Sequence, residues 1–286
     1  MKTALITGAN SGIGKMTTLE LAKQGYHIVM LCRNRVKAEA ARMEIIQETN
    51  NENIDIVLCD LGIMNNIQEA AKTIRMNYSK LDLLVNNAGM LPDSKRKTTD
   101  EGLEVTFAVN HLSYFLLTRE LMPLLKNADS ARIINVASEA HRYGRFVPHN
   151  LQFEKGYMTY KAYGNSKLFN IMFTQRLARE IQGTGITAYS LHPGVVDTNF
   201  AANSDSIFSK FFNLGRFFMI SPEKGAETTN YLCTEPGIEH LNGEYFVKKK
   251  PVKPQIKAAT DDVSCDLLWQ KSEEILESVL TSGPEN

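Results

Sequence analysis

Short runs of β-branched and aliphatic residues alternate along the chain with longer stretches whose apolar positions recur every three or four residues. The runs are "TALIT" (3–7), "HIVMLC" (27–32), "IDIVLC" (54–59), "LDLLV" (81–85), "ARIINVAS" (131–138) and "ITAYSL" (186–191). Between them the helical pattern covers Gly12 to Gly25, Arg35 to Thr49, Ile67 to Tyr78, Asp100 to Lys126 and Tyr160 to Gln182. This alternation predicts βαβ units and one parallel sheet. The runs are nearly continuously apolar, as strands are when helices cover both faces of a sheet. Ser221 and Pro222 supply an N-cap and a first-turn proline for another helix, Glu244 to Val247 one more strand, and Asp261 to Leu280 a long C-terminal helix. The basic stretch "VKKKPVKPQIK" (247–257) is read as a solvated loop, because its prolines forbid a regular amphipathic helix. No repeat, low-complexity tract or flexible linker divides the chain, so the expected class is α/β, a doubly wound parallel sheet in a single domain over residues 1–286.

Composition narrows the partners. Thirty-two basic residues balance thirty-two acidic ones, leaving no net field to hold a polyanion, so nucleic acid is not expected. Met1 and Lys2 lead straight into "TALITG" without the apolar region of a signal peptide. No apolar run approaches the ~18 residues of a membrane span, so no transmembrane anchor is expected. Cys32, Cys59, Cys233 and Cys265 are scattered, without zinc-site or redox spacing, which is read as reduced thiols in a cytoplasmic protein with no metal.

"TGANSGIG" follows the first run and opens the first helix. In that context a glycine-rich turn brings backbone N–H groups and a helix N-terminus against a pyrophosphate, as in a Rossmann-type fold. Gly8, Gly12 and Gly14 are spaced G-x-x-x-G-x-G rather than the commoner G-x-G-x-x-G, so position carries the signal more than spacing does. A phosphate-binding P-loop ending at Gly14 and Lys15 would need glycine at position 9 and Ser or Thr at 16, where Ala9 and Met16 stand. A nucleophile elbow around Ser11 also fails at Ala9. After the second run, NAD-binding proteins place an acid on the ribose 2′-hydroxyl. From Val29 to Val36 there is none; "LCRNR" instead puts Arg33 where a guanidinium can grip a 2′-phosphate, with Asn34 for a hydrogen bond and Arg35 and Lys37 adding charge. NADP is therefore the expected cofactor.

The stretch "GYMTYKAYGNSKLFN" (156–170) contains Tyr-x-x-x-Lys twice, as Tyr157/Lys161 and Tyr163/Lys167. Residues four apart share a helix face, so either pair can set an ammonium group beside a phenol. The stripe Tyr163, Lys167, Asn170, Ile171 and Thr174 runs along a helix, whereas Tyr157 follows Gly156 and precedes it. A free phenol has a pKa of about 10, so work near pH 7 requires stabilising the tyrosinate by roughly 3 to 4 kcal/mol. An ammonium about 5 Å away supplies about 3.3 kcal/mol at an effective dielectric near 20.

Further motifs follow in order: "NNAG" (86–89), Asn110 in "FAVNHLSYFLLT", Ser138 ending the fifth run, and "HPGVVDT" (192–198) after the sixth. With the glycine loop and "YGNSK" they resemble the short-chain dehydrogenase/reductase family over most of the chain. The run "TTDEGLEVTFAVNHLSYFLLT" is most similar to its retinol dehydrogenase-like branch. The resemblance implies hydride transfer between a nicotinamide and a carbonyl or alcohol, with Asn110, Ser138, Tyr163 and Lys167 as the catalytic group. Tyr163 would be the acid or base, Ser138 would hold the substrate oxygen, and Asn110 would hold a water behind Lys167. It favours Tyr163 over Tyr157, since "YGNSK" has Ser166 before its lysine where "YMTYK" has Tyr160. The implied cofactor set is Gly8, Asn10, Ser11, Gly12, Ile13, Gly14, Arg33, Asn34, Lys37, Asp60, Leu61, Asn87, Ala88, Gly89, Tyr163, Lys167, Pro193, Gly194, Val196 and Thr198. Asp60 is expected at the adenine, and Asn87 and the "PGVV" turn at the nicotinamide half. Ser138 and Tyr163 are twenty-five residues apart, longer than the usual family separation, so 139–159 is read as an insertion. His141 and His149 within it are read as exposed loop histidines.

Residues 197–220 fall where the family places a substrate lid. Phe208, Phe211, Phe212, Phe217, Phe218 and Met219 stand there with Lys210 and Arg216. Aromatic side chains bury ~150 to 250 Å² each, so a few of them lining a pocket predict a bulky lipophilic carbonyl or alcohol substrate, such as a retinal-like aldehyde or ketone. Core packing and contact with a membrane or partner surface stay open on the pattern alone. A rival of another class is a non-catalytic NADP-binding sensor, which has no need of a matched Tyr163 and Lys167. The family implies a homo-oligomer, while the helix from Asp261 offers a cap for a monomer.

Overall fold

The computed structural model describes residues 1–194 and 220–281. Strands β1 (Thr3–Thr7), β2 (His27–Cys32), β3 (Ile54–Leu58), β4 (Leu83–Asn86), β5 (Arg132–Val136), β6 (Thr187–His192) and β7 (Tyr245–Val247) run parallel. A short β8 (Lys250–Pro251) pairs antiparallel with β7. The order is β3-β2-β1-β4-β5-β6-β7-β8. The chain builds outward from β1 to β3, then returns to the other side of β1 with β4, in register at Ala4 with Leu83 and Ile6 with Val85. That reversal makes the carboxyl ends of β1 and β4 the switch point of the sheet, where open α/β sheets bind their ligands. The expected doubly wound α/β class is the observed one.

The helices are α1 (Gly12–Lys23), α2 (Arg35–Thr49), α3 (Met64–Asn77), α4 (Val105–Phe107), α5 (Ser113–Lys126), α6 (Thr159–Glu180), α7 (Pro222–Thr234) and α8 (Asp262–Thr281). They give the sheet two cores. Leu21, Ile45 and Leu232 fill the side of α1, α2 and α7. Ile67, Leu117, Phe169 and Leu268 fill the side of α3, α5, α6 and α8. β1 and β4 are buried along their whole length because both faces are covered, while β3 at the sheet edge is only partly buried. Among the described residues no helix is long and apolar enough to cross a membrane.

Three local readings need correction. The helix expected from Asp100 begins only at Val105: Gly102 turns the chain at φ 78°, Thr98 bridges Glu104, and the Glu104 carboxylate caps the helix by accepting the N–H groups of Thr106 and Phe107. The same stretch then widens into a π-turn at Ala108–Leu112 before α5. Helix α3 starts at Met64 rather than Ile67, because the Glu101 carboxylate accepts the Met64 N–H at 2.8 Å, a cap from 37 residues away. The lysine-rich stretch is not loop throughout: β7 and β8 form a hairpin whose turn places Lys248 and Lys249 at φ 50° and 63°.

Candidate active site

The glycine loop joins β1 to α1. Gly8 and Gly12 adopt φ 65° and 52°, open to glycine without strain. A Cβ at Gly14 would lie 2.3 Å from the Gly8 carbonyl oxygen and 2.5 Å from Asn87 Nδ2, so the bare backbone is what allows the close approach. Ser11 occupies the N-cap position of α1, yet its hydroxyl makes no cap bond and the first turn carries no acid. By contrast Asn34 caps α2 and Ser221 caps α7. Asn10 and Ile13 are half-buried beside this uncapped turn. Uncapped N–H groups above a glycine floor are the donors that fit dinucleotide phosphates.

Beyond β2, Arg33 is exposed, with Nη1 3.8 Å from Asp60 Oδ2. Asn34 accepts the Lys37 N–H at 3.0 Å, which fixes the start of α2 behind Arg33. Asp60 also accepts the Gly62 N–H at 2.9 Å, and Leu61 beside it is buried. After β4, Asn87 and Ala88 donate their backbone N–H groups to the Thr7 hydroxyl at 2.9 and 2.8 Å, and Asn87 Nδ2 donates to the Thr7 carbonyl at 2.8 Å. Gly89 is half-buried next to them. The Asn110 amide, in the π-turn, accepts from Met90 N at 2.8 Å and donates to Met90 O at 3.0 Å and Ser166 Oγ at 3.1 Å. Both ends of that amide are thus bonded to protein.

Helix α6 carries Tyr163 and Lys167 into the interior beside Ser138 at the end of β5. Tyr163 is 9% exposed and Lys167 2%. Lys167 Nζ lies 5.7 Å from the Tyr163 ring centroid and donates to the Val136 carbonyl at 3.1 Å. Tyr157 precedes the helix, with its hydroxyl on the Asp93 carbonyl at 3.2 Å, and Lys161 lies over the Tyr160 ring instead. Burial pushes the Tyr163 phenol well up, opposed by its hydrogen bond with Ser138. Burial pushes Lys167 down to about 7. The charge-on-charge help expected of the lysine is therefore not the leading effect: removal from water favours the neutral form of both groups.

A family profile described as short chain dehydrogenase matches residues 2–207. Mouse retinol dehydrogenase 12 is 39% identical over 275 residues, covering 96% of this chain and 86% of that protein. Human retinol dehydrogenase 11 is 40% identical over 274 residues, covering 93% and 86%. The chain belongs to the short chain dehydrogenase family. Among solved structures, an uncharacterized protein from Mycobacterium paratuberculosis superposes with TM-score 0.77 at 28% identity, covering 97% of this chain and 94% of that one. A 3-ketoacyl-(acyl-carrier-protein) reductase from Brucella melitensis, solved with NADH, gives TM-score 0.67 at 25% identity, covering 86% and 95%.

Within this short chain dehydrogenase, the other turn of the expected set lies after β6. Pro193 and Gly194 are half-buried, and Gly194 has φ 97° with Ile220 Cδ1 2.6 Å from where a Cβ would stand. Val196, Thr198 and the phenylalanine-rich lid segment up to Met219 lie outside the described residues. His149 is exposed as expected, but His141 is not: it is 1% exposed, its Nδ1 bonds the Ser138 carbonyl at 2.8 Å, and its ring meets Tyr245 edge-on. A 3₁₀ turn at Glu139–Tyr143 folds the start of the insertion inward. Two site neighbours escaped the sequence reading. Thr7 ties β1 to the loop after β4, and Tyr114 donates to the Ala88 carbonyl at 2.8 Å with its ring 6.0 Å from Lys167 Nζ. Their partners are 26 to 81 residues distant, beyond any local pattern.

Proposed function

We propose that this short chain dehydrogenase is an NADP-dependent oxidoreductase acting on a lipophilic carbonyl or alcohol, with Tyr163 as its acid or base. The observation that carries the reading is the buried Tyr163 phenol bonded to Ser138, with Lys167 Nζ 5.7 Å from its ring. The glycine loop of Gly8, Gly12 and Gly14 and the Arg33 guanidinium would hold NADP(H), which when bound would supply the hydride for reduction or take it up as NADP⁺ in the reverse direction. Ser138 holds the substrate oxygen, and the Tyr163 hydroxyl gives that oxygen its proton or removes it from the alcohol. Lys167 favours the tyrosinate once charged, and its depressed pKa lets it exchange a proton near neutrality. Asn110 keeps the Met90 loop and Ser166 in place around the pair.

NADP over NAD is supported by the absence of an acid between Val29 and Val36 and by the exposed Arg33 guanidinium beside it. A lipophilic substrate is supported by the names of the relatives and by the phenylalanines before Ile220. Four buried, unpaired cysteines support a place in the cytoplasm. The test measures turnover on long-chain and ring-containing aldehydes with NADPH and NADH at equal concentration. Tyr163→Phe should lower kcat by about 10²- to 10⁴-fold, with Tyr157→Phe near wild type. Arg33→Ala should weaken NADPH binding, read by fluorescence titration, by roughly ten- to a hundredfold and leave NADH little changed. Loss of turnover in Tyr157→Phe alone, or a wild-type preference for NADH, would overturn the assignment. Tight NADPH binding with no turnover across the panel would point to a sensor.

A further inference from the structure

His111 follows Asn110 in the π-turn and is fully buried, its ring 5.4 Å from that of Phe107, 5.5 Å from Phe169 and 6.3 Å from Phe173. Its Nε2 lies 3.1 Å from the hydroxyl of Ser272, also fully buried, in the C-terminal helix 161 residues later. The Ser272 hydroxyl has one proton, and it donates it to the Leu268 carbonyl at 2.8 Å. With that proton directed at Leu268, Ser272 accepts from His111 in the Nε2–H tautomer. Burial pushes the imidazole down to about 3, so it is neutral at working pH. A hydrogen bond with the Asn170 side chain, also fully buried, opposes burial at the same imidazole.

Packing alone does not call for this pair. A cage of three phenylalanines would accept leucine at 111 and alanine at 272 without burying polar atoms. What the pair supplies is direction, since a hydrogen bond fixes angle and rotation where apolar contact does not. The turn it holds is the one whose Asn110 amide reaches Met90 and Ser166.

We infer that Ser272 and His111 are positioning residues, through which α8 holds the Asn110 turn in register with the loop after β4 and with α6. The inference rests on the proposed function for its kinetic consequence, but its structural half stands apart. It is tested with Ser272→Ala and with the double variant His111→Leu/Ser272→Ala, in which neither polar partner is left buried alone. Three quantities are read: thermal midpoint, kcat against KM, and hydrogen exchange at the Met90 amide. Ser272→Ala should lower kcat about tenfold or more, keep KM within about twofold, and speed exchange at Met90 while β2 and β3 amides stay protected. The double variant should regain most of the thermal midpoint and keep the low kcat and the fast Met90 exchange. Recovery of kcat together with stability would mean that the pair only packs, and unchanged Met90 exchange in both variants would overturn the inference. If wild type shows no turnover the proposed function falls, and exchange at Met90 alone decides this one.

Discussion

Lys167 shows what one buried side chain does to a protein's response to pH. Its pKa is pushed down to about 7 from 10.5 because removal from water disfavours the ammonium form. Between those values the unfolded chain binds a proton that the folded chain lacks, so stability rises with pH. Below about 7 both states are protonated and the whole penalty of a buried charge falls on the folded one. Tyr163, held upward, acts in the opposite sense only above its unfolded value near pH 10. Denaturant midpoints of wild type should therefore climb from pH 7 to 9.5 relative to those of Lys167→Met, and parallel curves would contradict the shift. The register of Tyr163 and Lys167 was legible in the sequence, because a four-residue spacing within one helix is local. The burial of His141 was not, because the fold of an insertion depends on contacts that no periodicity announces. Thr7 and Tyr114 were missed for the same reason.

Between elements, the junction of the insertion with α6 is made by two glycines. A Cβ at Gly164 would meet the Ala140 carbonyl oxygen at 2.8 Å and Gly144 N at 2.9 Å, both backbone atoms that cannot swing aside. Gly164 adjoins Tyr163, and the Ala140 N–H donates to the Ser138 hydroxyl oxygen at 3.1 Å, which ties that turn to the serine. Gly164→Ala should cost about 1 to 3 kcal/mol of stability and move the serine away from the phenol. Turnover should drop well beyond what the unfolded fraction accounts for; a variant with wild-type kcat would show that the turn relaxes freely. Strand positions and most helices were legible because each is a local apolar pattern, even where, as at α1 and α6, no side chain caps the start. The π-turn was not, since its helical pattern reads straight through "FAVNHLSYF" while the hydrogen bonds that the Asn110 and His111 side chains make from within it are to residues 20 to 161 positions away.

At the scale of the whole molecule, three histidines are stored neutral. Burial pushes His111 to about 3 and His192 to about 4, and it also lowers His141. In the unfolded chain each regains a value near 6.5. Protons then bind the unfolded state first, so stability is lost as pH falls from about 6.5 toward 4. Glu139, 3.9 Å from His192, moderates that histidine without reversing it. The thermal midpoint should fall across this window, and His192→Asn should flatten the slope; an unchanged slope would assign the acid response to carboxylates.

The C-terminal helix has a consequence for how the chain is made. Leu268 and Leu276 close the core over α6, and Trp269 stacks on Phe173 at 5.7 Å. The aromatic cage around His111 is therefore built from residues that emerge well before the helix that covers them. At a synthesis rate of about 5 to 20 residues per second, the roughly 90 residues between Phe173 and α8 take on the order of five to twenty seconds to appear. During that interval a nascent chain carries Phe115 and Phe173 without their cover, a surface of the kind that chaperones bind and that drives neighbouring nascent chains to stick together.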